Sequence, residues 1–311
     1  MEDYPANLME FERRFSSEEA CREYLFQLRW PNGFRCPRCE GSKAWPIERG
    51  LWHCAACGRQ VSVTAGTVFQ GTRKPLQMWF RAMWWVTSQK TGASAVGLQQ
   101  ALGLGSYQTA WTWLHKLRRA MVRPGRDRLR GLVEVDETYV GGHEEGVIGR
   151  GAKTKSLVAI AVEKDGRRIG RVRMRVVKNF TASELCGFVS DCIELDSTVR
   201  TDGLRSYLTL PSHGYTHDRV IQKGRKETAS ELLPGVHRVA SLLKRWLLGT
   251  HQGRVSPEHL GYYLDEYTFR FNRRKSRHRG KLFYRLVQQA VAIEPTSYQQ
   301  IVKRSSPQPL P

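Results

Sequence analysis

Two isolated aspartates, followed by a histidine and a lysine on one helix-like run, are the residues of this chain best suited to act together. Asp136 lies in Val133-Glu-Val-Asp-Glu-Thr-Tyr-Val-Gly-Gly142 and Asp202 in Val199-Arg-Thr-Asp-Gly-Leu-Arg-Ser-Tyr207, while His237 and Lys244 fall between Leu233 and Trp246. An aspartate inside an otherwise apolar strand is costly unless it is paired or bound to metal. Two strand-borne carboxylates with a third ligand on a later helix suit a pair of divalent ions about 4 Å apart, able to activate water or a 3′-hydroxyl and stabilise a leaving oxygen. Glutamate is the ordinary third ligand; here the position reads as His237. The seven-residue step to Lys244 places both side chains on one helical face. Ordinary roles compete. Asp202 precedes Gly203 and could simply cap a turn, and His237 could make a cap contact at the start of its helix. Glu231 and Glu227 are reserve carboxylates, ranked lower because Pro234-Gly235 separates them from the helix. Glu134 and Glu137 are expected on the strand face opposite Asp136.

Four cysteines form a second constellation. Cys36-Pro-Arg-Cys39 and Cys54-Ala-Ala-Cys57, with 14 residues between them, read as two knuckles whose thiolates make a tetrahedral cage for structural zinc. Gly41 and Gly58, following the pairs, fit the turns such knuckles need. A redox-active dithiol is the alternative, disfavoured by two pairs at this spacing. Such a ribbon serves DNA contact and protein docking equally well.

The elements that must hold these residues can be read from periodicity. A helical segment covers residues 8–29, with a start signal in its middle at Ser16-Ser-Glu-Glu; the zinc ribbon spans 30–74. Helical spacing returns over 75–124, where Gly103-Leu-Gly105 ends one helix and Ser106 caps the next, giving helix-turn-helix spacing. That last helix places Trp111, Leu114, Leu117 and Met121 inward. Gln108, Thr109, Thr112, Lys116, Arg118 and Arg119 fall on its polar positions, the side chains that base edges and phosphates require. A small helical bundle without DNA contact is the competing reading. From Gly131 the period is that of strands: residues 132–140, 156–163 and 169–177, with a hairpin turn at 164–167, a helix opened by Thr181-Ala-Ser-Glu184, then strands at 198–201 and 217–222. Helices resume near Pro234, over 257–274 and around 282–293. The fold expected is α/β, a ribonuclease H-like mixed sheet flanked by helices over 130–294, with a flexible, proline-rich tail at 295–311.

Fifty Lys and Arg against 29 Asp and Glu give the 311 residues a net charge of +21. An extended polyanion is the simplest partner for that excess, and double-stranded DNA fits the motifs above. No apolar run is long enough to span a membrane, and Met1-Glu-Asp-Tyr-Pro lacks the pattern of a secretory signal. Seven cysteines, an odd count, point to a reducing, cytoplasmic setting.

Further motifs complete a pattern: Ser-Leu-Leu-Lys-Arg at 241–245, Gly249-Thr250, and Tyr263-Leu-Asp-Glu-Tyr-Thr-Phe-Arg-Phe-Asn-Arg-Arg274. With the ribbon, Val-Asp-Glu-Thr-Tyr-Val-Gly-Gly and Thr-Asp-Gly, these make the chain resemble the bacterial insertion-sequence transposases that join an N-terminal zinc ribbon to a ribonuclease H-like DDE catalytic domain. The resemblance implies DNA cleavage and strand transfer at the ends of a mobile element. Asp136 and Asp202 would be ligands of catalytic Mg2+ or Mn2+, His237 the third, and Lys244 and Arg245 contacts to end DNA. Recognition of terminal inverted repeats and synapsis of two ends would need a homo-oligomer. One departure is substantial: where the family commonly has glutamate, glycine and two aromatic residues before Ser-Leu-Leu-Lys-Arg, this chain has Val236-His-Arg-Val-Ala240. A catalytically inactive, domesticated DNA-binding regulator is therefore the alternative. Magnesium prefers oxygen ligands, whereas manganese accepts imidazole more readily, and imidazole ligates only when neutral, above a pH of about 6.5. If His237 is a ligand, the ratio of manganese- to magnesium-supported activity should exceed that of a carboxylate triad. Equal rates with both ions at matched occupancy would argue against direct ligation.

Overall fold

Ser17 divides the N-terminal helical segment in two. In the computed structural model, which describes residues 2–123, 125–141, 155–221, 228–253 and 255–303, Ser17 is extended and its side chain accepts from Ala20 N–H. The first helix, α1 (Leu8–Arg14), therefore stops and α2 (Glu18–Arg29) begins afresh, where periodicity alone suggested one helix over 8–29. The chain forms two units, one from Met1–Arg123 with Lys275–Arg304, the other from Pro124–Arg274.

In the first unit α2 leads into a three-stranded antiparallel sheet, β1 (Ala44–Ile47), β2 (Leu51–Cys54) and β3 (Gln60–Ser62). Trp52 of β2 stacks on Phe26 of α2 at 4.3 Å. Three helices follow: α3 (Leu76–Ser88), α4 (Ala95–Leu102) and α5 (Tyr107–Ala120). Pro75 gives α3 no side-chain cap, and Glu18 supplies one from α2, its Oε2 accepting from Leu76 N–H at 2.8 Å. Ser94 and Ser106 cap α4 and α5, and Gly103, at φ +61°, ends α4 in the left-handed conformation. The helix-turn-helix spacing is thus set by local caps. Trp113 takes the most inward aromatic position on α5, stacked 3.9 Å from Trp79, while Trp111 is only half-buried.

The second unit contains β4 (Leu132–Val140), β5 (Ser156–Asp165), β6 (Arg168–Val177), α6 (Ala182–Cys192), β7 (Thr198–Thr201), β8 (Thr216–Arg219), the single turn α7 (Ala229–Leu232), α8 (Pro234–His251) and α9 (Leu260–Asn272). The strands form one sheet in the order β6-β5-β4-β7-β8. The pairs β4–β5 and β5–β6 are antiparallel, and β4–β7 and β7–β8 parallel. This is the mixed ribonuclease H-like sheet the sequence implied. Its fifth strand is shorter than 217–222, and Gln222 lies outside the described residues. Val133, Val135, Ala159 and Ala161 face Leu185 and Phe188 of α6, whereas Val158, Ile160 and Val162 face Val236, Val239 and Leu243 of α8. Helices on both faces explain why β5 is almost wholly apolar.

The chain then returns to the first unit. Helix α10 (Arg279–Ala290) sets Phe283 against Phe11, Phe80 and Trp84, and α11 (Tyr298–Lys303) buries Ile301. Two expected boundaries therefore move. Residues 275–294 belong with the first unit's aromatic core and not with the sheet, because α10 carries an apolar face that fits there. Within the expected tail of 295–311, residues 298–303 form α11 and Thr296 and Ile301 are buried; residues 304–311 lie outside the described ones.

The C-terminal part of the 263–274 motif has a structural task. Asn272 clamps the edge strand β6, accepting from Val172 N–H at 2.7 Å and donating to Val172 O at 3.1 Å, and Arg274 donates to the carbonyls of Ile169 and Gly170. These bonds occupy backbone groups that an edge strand would otherwise leave open. Replacing Asn272 with Ala should cost about 1–3 kcal/mol of unfolding free energy in a urea titration, because two buried backbone bonds lose their partner. An unchanged midpoint would refute this account of the clamp.

Candidate metal and catalytic sites

The four ribbon cysteines converge. Their sulfurs all lie within 4.8 Å of one another, with Cys36–Cys57 and Cys39–Cys54 each 3.6 Å apart. Among the described residues no other group of three or more metal-ligating side chains closes to that spacing. The two knuckles have matching backbone bonds: Glu40 N–H to Cys36 O and Cys36 N–H to Gly41 O in the first, Gly58 N–H to Cys54 O and Cys54 N–H to Arg59 O in the second. The glycines nevertheless do different jobs. Gly58 occupies the left-handed position of its knuckle at φ +68°, and the equivalent position in the first knuckle is Glu40 at φ +58°. Gly41 instead sits in a tight place, since a Cβ there would lie 3.1 Å from Ala56 Cβ and 3.4 Å from Cys39 Sγ. Burial opposes ionisation of Cys36, but the backbone N–H groups of Arg38 and Cys39, with the Cys57 thiol, outweigh it and hold this thiol at about 6. A cage of four sulfurs at this spacing fits zinc.

In the second unit the parallel register of β4 and β7 governs the carboxylates. Glu134 pairs with Arg200, and two residues further along each strand stand Asp136 and Asp202. Each aspartate uses one oxygen locally: Asp136 Oδ1 accepts from Glu137 N–H and Asp202 Oδ1 from Leu204 N–H, both at 2.9 Å. The turn-capping role considered for Asp202 is therefore real, and it fixes the carboxylate at the strand end. The other oxygen of Asp136, Oδ2, lies 3.5 Å from His237 Nε2, an atom out of contact with solvent and, among the described residues, without a hydrogen-bond partner. Asp136, Asp202 and His237 do not close to the 4.8 Å spacing of the sulfur cage. Two oxygens and a shielded imidazole nitrogen in this wider setting are a donor set suited to hard or borderline divalent ions.

Glu134 proves different from expectation. Residues two apart on a strand share a face, so Glu134 lies on the same side as Asp136, toward α8, and only Glu137 turns away. Helix α8 starts with Pro234 and has no local side-chain cap; Glu134 Oε2 accepts from Gly235 N–H at 2.7 Å and Val236 N–H at 3.0 Å. Lys164 Nζ lies 3.2 Å from the other oxygen. On the opposite face Glu137 accepts from the hydroxyl of Tyr207, which is buried. Burial raises the Tyr207 pKa, and the charges of Glu137, Asp136 and Asp202 raise it further, a sign that the three carboxylates gather near it. Strand alternation could have revealed the place of Glu134; nothing in the sequence signalled its bond to α8. Glu231 is engaged locally, accepting from Thr228 N–H and its hydroxyl, and Glu227 lies outside the described residues.

Along α8, Lys244 and Arg245 are exposed. Desolvation, then the charge of Lys155, lowers the pKa of Lys244. On α5, Gln108 is exposed, Thr112 bonds back to Gln108 O, and burial lowers the Lys116 pKa. Arg118, expected on the polar side, is 1% exposed, and Arg119 donates to Thr296. The inner part of α5 thus spends two of its expected DNA contacts on its own unit.

A ribonuclease H-like sheet with one aspartate within β4 and another just past the end of the neighbouring β7, together with a four-cysteine ribbon, defines the class. Family models agree: residues 16–60 match the transposase zinc-ribbon domain and residues 128–272 the ISXO2-like transposase domain. Those two domains together span more than half of the chain, which belongs to this family of insertion-sequence transposases. A relative, the uncharacterized protein in transposable element ISH50 of Halobacterium salinarum, is 29% identical over 279 residues, covering 83% of this chain and 92% of its own. Among solved structures, a simian T-cell lymphotropic virus intasome in complex with a PP2A regulatory subunit matches with TM-score 0.32 at 16% identity, over 60% of this chain and 70% of that one. The Mos1 transposase paired-end complex matches with TM-score 0.29 at 12% identity, over 73% and 78%. Both likenesses are remote, and the fold assignment rests on strand order and on the family. Among the described residues no helix is long and apolar enough to cross a membrane.

Replacing Cys39 with Ser should reduce bound zinc, measured by metal analysis of the purified protein, and loosen the ribbon to proteolysis. Full zinc content after substitution of any two of the four cysteines would refute the cage.

Proposed function

We propose that this protein cuts and joins DNA at the ends of an insertion sequence, with Asp136, Asp202 and His237 holding the catalytic divalent ions. The observation that carries the reading is the shielded His237 Nε2 beside Asp136 Oδ2, with Asp202 at the end of the neighbouring strand. Bound Mg2+ or Mn2+ would supply Lewis acidity to an attacking water or 3′-hydroxyl and to the leaving oxygen. The chain's own residues do the positioning. Asp136 and Asp202 are each pinned by a backbone N–H, and His237 is set by the first turn of α8. Lys244 and Arg245, one beside the other on the exposed side of that helix, would hold phosphates of the transposon end.

The ribbon at 30–74 and the helix-turn-helix block at 75–124 would recognise terminal inverted repeats. Gln108 is the most exposed of the candidate reading residues, with Thr112, Lys116 and Arg119 contributing where their internal bonds permit. The net charge of +21 suits binding of double-stranded DNA, and synapsis of two ends calls for a homo-oligomer. Strand transfer in vitro with pre-cleaved ends and manganese tests the reading. Wild-type protein should join ends to target DNA, and Asp136→Ala or Asp202→Ala should abolish joining while leaving end binding intact. Specific end binding by wild-type protein without any joined product would leave a DNA-binding regulator as the function.

A further inference from the structure

We infer that Glu134 is a positioning residue for the third metal ligand: its buried carboxylate, through α8, sets where His237 stands against Asp136. This inference rests on the reading of His237 as a ligand. It goes beyond that reading by assigning the side chain that makes a histidine workable at this place.

The geometry is that of two contacts between one strand face and one helical turn. Glu134 and Asp136 are successive residues on the α8-facing side of β4. Gly235, Val236 and His237 are successive residues of the first turn of α8. Glu134 takes the N–H groups of Gly235 and Val236, while Asp136 meets the His237 ring. The first contact fixes the second, because a helix start held at two of its N–H groups can neither slide nor rotate relative to the strand. No local group could replace it. Pro234 has no N–H, Leu233 has no capping side chain, and the His237 N–H already bonds to Leu233 O.

The surroundings are fitted to this carboxylate. Glu134 is 1% exposed, Lys164 lies 3.2 Å from its second oxygen, and the helix N-terminus stabilises its charge. Gly235 is the close-approach residue: a Cβ there would fall 2.7 Å from Glu134 Oε2 and 3.3 Å from Val162 Cγ1. Any larger residue at 235 forces the carboxylate and the helix apart. Imidazole is rigid and offers a metal only one nitrogen in one direction at a time, whereas a glutamate has further torsions to correct for a displaced helix. A histidine at this position therefore needs the helix start fixed more tightly than a carboxylate would.

The test is Mn2+ affinity of the full chain, measured by titration calorimetry or electron spin resonance, for Glu134→Ala, Glu134→Gln, His237→Ala and the double variant Glu134→Ala/His237→Ala. Glu134→Ala should weaken Mn2+ binding about 10–100-fold, the loss usual for the partner that orients a metal ligand. The double variant should bind no worse than His237→Ala, because both changes remove the same ligand. Glu134→Gln, which keeps an acceptor oxygen for the two N–H groups, should recover most of the affinity. Amide exchange at Gly235 and Val236, followed without metal, should accelerate in Glu134→Ala and stay slow in Glu134→Gln. If Glu134→Ala fails to fold, Gly235→Ala displaces the same contact and should show the same non-additivity with His237→Ala. Additive losses, or full affinity in a folded Glu134→Ala, overturn the inference while His237 remains a ligand. Full affinity in His237→Ala overturns the ligand reading itself, and the role of Glu134 with it.

Discussion

The second unit depends on one buried contact, the carboxylate of Glu134 against the first turn of α8. A helix start without a side-chain cap leaves several N–H groups unpaired, and the proline that opens α8 removes one donor without supplying an acceptor. Burying such an end against a sheet is tolerable only if the sheet provides the acceptor. Glu134 does so, Lys164 compensates its charge, and Gly235 makes room for the approach. The apolar stripe of α8, Val236, Val239, Leu243 and Leu247, then lies over Val158, Ile160 and Val162 in a defined register. A polar anchor specifies what hydrophobic burial alone would leave free to shift, since apolar contact has no preferred direction.

Asp136 and Asp202 illustrate a related economy. Each gives one carboxylate oxygen to the backbone immediately after it, so the side chain is oriented by its own chain. The parallel pairing of β4 with β7 then brings the two to equivalent positions on adjacent strands. On the other face the Tyr207–Glu137 bond ties the turn after Asp202 back to β4. Three independent constraints thus converge on residues separated widely in sequence. The ribbon achieves similar order by different means, with two backbone-matched knuckles in which Glu40 and Gly58 take the same left-handed conformation.

Most of the architecture was legible because it is written in local signals. Serine caps, the Gly103 stop, the Cys-x-x-Cys spacing and the apolar run of β5 each act over a few residues, and the elements they implied are present. Boundaries failed where long-range packing decided. Helix α10 has the same amphipathic pattern whichever unit receives it, and nothing between 275 and 294 names Phe11 and Phe80 as its partners. Arg118 sits on a nominally polar position yet is buried, because α5 is enclosed on more sides than its periodicity suggests. The candidate site was legible as residues and not as contacts. Asp136, Asp202 and His237 could be picked out by type and spacing, whereas the role of Glu134 required knowing which helix lands on its strand.

Capping from afar recurs: Glu18 starts α3 from 58 residues away and Glu134 starts α8 from 101 residues away. Loops of that length close slowly compared with the formation of a helix or hairpin. As the chain emerges during synthesis, β4, β5 and β6 can pair long before Pro234 exists, but their face stays open until α8 arrives. Asp136 and Asp202 both precede Pro234 in the chain, so the segments that carry them are made before the helix that carries His237. The contact that brings His237 beside Asp136 thus waits on a cap supplied from 101 residues away.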